Sequence, residues 1–381
     1  MRYFEEFTSN TLAGSANQAV FSLQPEETRI GRVFYQIHVP GTFRYSILFS
    51  NILDSTFSDG SLCNCNQVLP SWQILQLRVG KCSHLDAATF QLPGSYLPES
   101  GKDCPKTQLE QVKDFVTLTF EGKQEKTVAP GEFFSTDPVE LTFEEGEYLC
   151  LETTVQGSLL PYHEESILPA YVWKGDGWQY DRRTIFAGMI GCDRKVKSRI
   201  AFCGDSITQG IGTPVDSYTH WNAVVSQMLG TEYSYWNLGI GFGRANDFAS
   251  NGAWMYKGTH TDYAVVCYGV NDLSRKPEAQ IRQDLKTIVE KLKKAGVRVL
   301  LQTIPPFDYQ GEMVNTWKRL NSYVLEEVAP LADGLFDVVP VLGAGPDQPE
   351  KAVYGGHPDE TGCRVWAEAL YPAMKKLLEA E

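Results

Sequence analysis

The sequence predicts an antiparallel β-sandwich over residues 1–192, of jelly-roll type, followed by an α/β domain over residues 193–381 whose parallel sheet is flanked by helices. Three observations carry this prediction. A chain of 381 residues exceeds what one hydrophobic core usually supports. Up to about Gly191 the apolar residues recur with a period of two, and after Lys195 short apolar runs alternate with segments of helical period.

In the first half Phe43, Tyr45, Ile47 and Phe49 interleave with Arg44, Ser46, Leu48 and Ser50, as in a strand with one face turned inward. The same alternation recurs in Leu75, Leu77 and Val79, in Val116, Leu118 and Phe120, and over 138–143 and 147–154. Glu121-Gly122-Lys123, Pro130-Gly131 and Glu145-Gly146 supply turn chemistry between these runs.

In the second half the predicted strands are 199–203, 263–268, 297–302 and 335–341. Helical spacing places Trp221, Val224, Val225 and Met228 on one stripe, then Ile281, Leu285, Ile288, Val289 and Leu292, then Trp317, Leu320, Val324 and Val328. A last helix carries Trp366, Leu370, Met374 and Leu377 and is expected to start just after His357, with Pro358 in its first turn. The sequence shows no internal repeat and no low-complexity segment.

Composition narrows the function classes. A net charge of −13 disfavours phosphate backbones and anionic lipid surfaces, so neither nucleic acid nor a membrane is an expected partner, and an uncharged substrate fits better. No basic segment followed by a long apolar stretch opens the chain, which leads to a cytoplasmic expectation. The oligomeric state has no signature in the sequence. Most of the nine cysteines, Cys150, Cys203 and Cys267 among them, fall inside apparent strands, where a thiol acts as a small hydrophobe. Cys63, Cys65, Cys82, Cys104 and His84 lack the spacing of a zinc site, so no metal and no cofactor is expected.

The chemistry concentrates in three short segments. Ile200-Ala201-Phe202-Cys203 runs as a strand into Gly204-Asp205-Ser206-Ile207, which delivers Ser206 to the carboxyl end of a parallel sheet, where ligands bind. A serine hydroxyl needs a base within hydrogen-bond reach to act as a nucleophile, and imidazole has the right pKa. Of six histidines, His357 stands in a loop with small neighbours, His220 lies at helical spacing beside Trp221 as a structural residue, and His260 precedes a strand without an assigned role. Gly239-x-Gly241-x-Gly243 is not a dinucleotide fingerprint, because Arg244 stands where the third glycine is required. Thr208 likewise rules out the G-x-S-x-G elbow of α/β-hydrolases.

Gly204-Asp205-Ser206-Ile207, Gly269-Val270-Asn271-Asp272 and Gly356-His357-Pro358 resemble blocks I, III and V of the SGNH (GDSL) hydrolases, in the family's order. The resemblance implies a flavodoxin-like catalytic domain in which Ser206 is the nucleophile, His357 the general base and Asn271 an oxyanion donor, with Asp205, Gly269 and Asp272 supporting them. The family's block II glycine falls at Phe242 when counted from Asn237, so the further backbone donor is Phe242 or, with a one-residue shift, Gly243. The family commonly has Asp three residues before its histidine, where this chain has Tyr354. The imidazole is then oriented by a backbone carbonyl, the favoured reading, or by a carboxylate such as Asp347 or Asp359.

Phe49-Ser50-Asn51, Val116–Lys123, Pro130-Gly131 and Ser135–Val139 look like the β-domain that precedes the catalytic domain of bacterial SGNH esterases that deacylate carbohydrates. The implied function is a serine esterase acting through an acyl-Ser206 intermediate on short-chain, above all acetyl, esters of carbohydrates, its substrate a small-molecule or oligosaccharide ester. The alternative is a carbohydrate-binding protein whose SGNH half turns over weakly or not at all.

Overall fold

A computed structural model of the chain describes residues 2–54, 65–83 and 112–380. They form two compact units: 2–54, 65–83, 112–195 and 214–217 in the first, Val196–Thr213 and 218–380 in the second. Cys63, His84 and Cys104 lie outside the described residues.

The first unit is built of antiparallel sheets, consistent with a β-sandwich. One sheet orders Thr8–Ser9, Met189–Cys192, Gly41–Ser50 and Phe133–Ser135, with Val139–Phe143 also paired to Gly41–Ser50. The other orders Trp178–Tyr180, Ala170–Trp173, Arg29–Gln36, Tyr148–Gln156, Trp72–Cys82 and Lys113–Thr117, with Lys126–Val128 on Trp72–Cys82. Val33, Tyr35, Leu149, Leu151, Leu77 and Val79 alternate along this second sheet and are buried. On its opposite face Glu152 accepts from Arg32 Nε at 2.7 Å and from Arg78 Nε at 2.5 Å, so a buried carboxylate keeps its charge partners.

The expected alternation of 43–50 gives way at Tyr45, after which every residue to Ser50 is buried. Other elements cover the second face there: Ser46 Oγ donates to the Thr136 carbonyl at 2.7 Å, and Tyr3 Oη donates to the Ser46 carbonyl at 2.6 Å. Cys82, Cys150, Cys192, Cys203, Cys267 and Cys363 are buried, and burial pushes the Cys82 thiol up to about 12.

The second unit holds five parallel strands: β1 (Arg199–Gly204), β2 (Ser234–Gly239), β3 (Tyr263–Cys267), β4 (Arg298–Gln302) and β5 (Gly334–Phe336), ordered β2-β1-β3-β4-β5. Its helices are α1 (Ser206–Gln209), α2 (Trp221–Leu229), α3 (Ala245–Ala249), α4 (Ala253–Gly258), α5 (Glu278–Lys294), α6 (Glu312–Tyr323), α7 (Val339–Leu342) and α8 (Glu360–Glu379). The chain leaves β1 for β2 on one side and crosses to β3 on the other. In open α/β sheets such a reversal is where ligands bind, which here means the carboxyl ends of β1 and β3. No helix among the described residues is long and apolar enough to cross a membrane.

Several boundaries depart from the sequence reading. The strand expected over 335–341 stops at Phe336, because Asp337 turns its carboxylate onto Thr303 Oγ1 and the Val339 amide, and Pro340 then opens α7. The last helix starts at Glu360, and Pro358 precedes it. Asp359 is its N-cap, accepting from the Gly362 amide at 2.8 Å. Met228 is 38% exposed, so the buried stripe of α2 runs instead through Trp221, Asn222, Ala223, Val225 and Ser226. β2, α3 and α4 had no counterpart in the sequence reading.

Candidate active site

Ser206 is the first residue of α1, a single turn seated directly on the end of β1. Asp205 caps that turn, its Oδ1 accepting from the Ile207 amide at 3.0 Å, and Gly210 closes it at φ 116° by donating to the Ser206 carbonyl. From β2, Asn237 Nδ2 donates to the Thr208 carbonyl at 3.0 Å, and the Gly241 amide donates to Gln209 Oε1 at 2.5 Å. The serine therefore stands on backbone pinned from the neighbouring strand.

His357 lies between β5 and α8, and its Nε2 is 2.8 Å from Ser206 Oγ. Two residues 151 positions apart thus make the contact that serine activation requires. Gly212 helps to bring them together: a Cβ there would stand 2.6 Å from the Pro358 carbonyl oxygen and 2.8 Å from that of His357. Its φ of +105° also disfavours a side chain. The ring of Phe307 meets the imidazole edge to face, with centroids 5.2 Å apart. Burial pushes the His357 pKa down to about 4, so the ring is neutral at pH 7.

Asn271 follows β3, and its Nδ2 donates one hydrogen bond to the Gly243 carbonyl at 3.1 Å. Such a bond leaves the carboxamide's second N–H to be used elsewhere. Gly243 spends its own amide on the Ile240 carbonyl at 3.0 Å, while Phe242 holds a left-handed φ of 58°. Gly269 turns the chain after β3 at φ +127°. Asp272 is buried and accepts from the Ala245 amide through both oxygens, at 3.2 and 3.1 Å, tying the β3 loop to the start of α3. Burial raises both Asp205 and Asp272 to about 7, with the charge of Asp247 adding to the effect at Asp272.

The remaining sequence candidates have other places. Tyr354 packs against the first turn of α8 at Gly362, and its carbonyl accepts from the Asp359 amide at 3.1 Å. Asp359 caps α8, and Asp347 is exposed. His220 is fully buried at the N-cap position of α2, and His260 Nδ1 lies 2.7 Å from the Tyr256 carbonyl. Among the described residues no group of three or more His, Cys, Asp or Glu side chains is placed to hold a metal ion. The sequence reading overlooked Asn237 as a side-chain brace, Gly212, Phe307 and Asp308. Only the double proline before Phe307, after β4, marked that loop as unusual.

Residues 202–365 match the GDSL-like lipase/acylhydrolase family. The chain is 25% identical over 217 residues to an acetylxylan esterase of Xylanibacter ruminicola, covering 46% of this chain and 43% of that protein, so it spans less than half of the relative's length. A lipase/acylhydrolase from Enterococcus faecalis is similar at 22% identity with a TM-score of 0.39, covering 48% of this chain and 98% of that one. A member of the lipolytic G-D-S-L family from Veillonella parvula is similar at 16% identity with a TM-score of 0.37, covering 47% and 98%. With a strand-borne Gly-Asp-Ser, a histidine after the last strand and the intervening blocks in order, the second unit of this chain resembles the GDSL-like lipase/acylhydrolase family over residues 202–365.

Proposed function

We propose that the protein is a serine esterase that removes short acyl groups, acetyl above all, from carbohydrate esters. The observation that carries this reading is the 2.8 Å approach of His357 Nε2 to Ser206 Oγ at the carboxyl end of β1. Neutral imidazole takes the serine proton as Oγ bonds to the ester carbonyl carbon, and the carbonyl π electrons move to oxygen. Asn271 Nδ2 and backbone amides of the Ser206 and Phe242 loops hold that oxyanion. Collapse of the tetrahedral intermediate expels the alcohol, which takes the proton from the imidazolium. His357 then deprotonates water, whose oxygen bonds to the acyl carbon; collapse of this second tetrahedral intermediate breaks the acyl–Oγ bond, the imidazolium returns the proton to Ser206 Oγ, and the acid is released.

Carbohydrate as the alcohol half is supported by the likeness to an acetylxylan esterase and by the β-rich first unit. The short acyl chain rests on the segment after α1, which carries no long apolar insertion around Gly210–Ser217. Purified protein is expected to release acid from p-nitrophenyl acetate well above a Ser206→Ala control, and to prefer acetate over an eight-carbon ester in kcat/KM. Equal rates for the two proteins would end the esterase reading.

One observation favours a second reading, in which the first unit binds glycan and the second turns over weakly. A cavity of about 1210 Å³ in the first unit is lined by Gln73, Lys123, Gln124, Glu132 and Phe133 among others, a mixture of hydrogen-bonding groups and ring surface. Retention of glycan by a protein inactive on all acetyl esters would select this alternative.

A further inference from the structure

We infer that Phe307 is a positioning residue for the His357 imidazole, bracing that ring by edge-to-face packing from a loop that Asp308 clips to the histidine's own. The inference rests on His357 being the base of the proposed esterase and adds how its ring is held.

Four contacts join the two loops. The Phe307 and His357 rings stand at 79° with centroids 5.2 Å apart, the arrangement in which one ring's positive edge meets the other's negative face. A Cβ on Gly356 would come within 3.0 Å of Phe307 Cδ2, so the Phe307 ring lies directly on the backbone that precedes the histidine. Beside it, the Asp308 amide donates to the Glu350 carbonyl at 3.1 Å, and Asp308 Oδ1 accepts from the Ala352 amide at 3.0 Å. Asp308 makes these two bonds from a left-handed φ of 52°.

The bracing loop is itself anchored in the core. Ile304 gives its amide to Asn321 Oδ1 at 2.7 Å, and its carbonyl accepts from Asn321 Nδ2 and Trp317 Nε1, each at 3.0 Å. Pro305 and Pro306 stiffen the next two positions, and the buried Tyr309 returns a hydroxyl to the Pro305 carbonyl at 3.3 Å while its ring packs 5.7 Å from Trp317. A half-buried ring on so fixed a loop restricts both where the imidazole can swing and how much water reaches it. Tyr354 stands where the family commonly has a carboxylate and is turned onto α8, and the Phe307 ring adds an orienting contact from the loop after β4.

The test uses the full chain with Phe307→Ala, Phe307→Leu and Phe307→Tyr, each checked for fold by circular dichroism and thermal melting. The His357 titration is read by NMR, and kcat and KM are measured on p-nitrophenyl acetate. In Phe307→Ala the His357 pKa is expected to rise from about 4 toward the ordinary 6.5 as water enters. A fall in kcat on the order of 10- to 100-fold is expected with it, KM staying within about threefold, as for a misplaced catalytic group. Phe307→Leu keeps apolar volume and shows the same directions in smaller measure, and Phe307→Tyr recovers most of both. An unmoved titration in a folded Phe307→Ala protein overturns the brace, whether or not kcat falls. Should Ser206→Ala match the wild type, the esterase reading fails while the titration still decides the role of Phe307.

Discussion

Trp221 and Trp366 stack face to face, their ring centroids 4.8 Å apart and their planes 10° from parallel. Both are fully buried, and Trp366 Nε1 also donates to Gln302 Oε1 at 2.9 Å, so one side chain joins α8 to α2 and to β4. Trp366→Ala is expected to cost about 3–5 kcal/mol through the cavity it leaves. Thermal unfolding should register this as a fall of roughly 10 °C or more in Tm.

The pH dependence of activity and that of stability have separable sources. A base whose pKa lies near 4 is neutral over the physiological range, so kcat/KM is expected to be level from about pH 5 to pH 7, with its acid limb near 4 rather than 6.5. His357 is held below its unfolded value, so the unfolded chain binds more protons between pH 6.5 and 4, and this residue's contribution to stability falls as pH falls through that window. Asp205 and Asp272, raised from 3.8 to about 7, act in the opposite sense: their contribution is complete below pH 3.8 and is lost as pH rises toward 7. Denaturant midpoints measured from pH 4 to pH 8 on Asp205→Asn should show a shallower alkaline decline than the wild type, with the share of Asp272 remaining.

Asn271→Ala should lower kcat by about 10²–10³ with little change in KM, the behaviour of a donor used mainly in the transition state. Single-turnover kinetics on p-nitrophenyl acetate check it. A rise in KM alone would assign Asn271 to ground-state binding.

Gly212→Ala places a methyl group against the carbonyl oxygens of His357 and Pro358, at a φ that also disfavours a side chain. The loop must shift, and a displacement near 1 Å at the imidazole costs about 10² in rate. Melting and kcat measured on the same preparation should show a far larger loss of activity than of folded protein at 25 °C.

Phe242→Gly tests whether the ring or the backbone of that residue is used. Glycine relieves the left-handed φ of 58°, worth about 1 kcal/mol, and keeps the N–H. Activity is expected to stay within about threefold of wild type. A loss beyond tenfold would show that the aromatic ring contributes to the site.

What could be read from the sequence follows what burial writes into it. Strands β1, β3 and β4 are covered on both faces, which leaves near-continuous apolar runs such as Ile200-Ala201-Phe202-Cys203 and Val299-Leu300-Leu301. β2 is equally buried, yet its Ser234 and Asn237 are polar because Asn237 serves the Ser206 turn, and that function hid the strand. Residues 338–342 are apolar enough to extend a strand, but Asp337 and Pro340 redirect them, an outcome set by a tertiary partner, Thr303, that periodicity cannot register. Ser206 and His357 were legible because their neighbours repeat a family pattern. Phe307 and Asp308 were not, since an aromatic side chain after two prolines has the look of ordinary packing until the loop it touches is known.

The contact between Ser206 and His357 spans 151 positions, with four strands laid down in between. Competence for chemistry is therefore acquired late in folding, because the long-range closure that unites the pair comes after much of the local order is in place. During refolding from denaturant, helical ellipticity should return ahead of reactivity toward a fluorophosphonate probe, so a collapsed intermediate would be inert as well as unfinished.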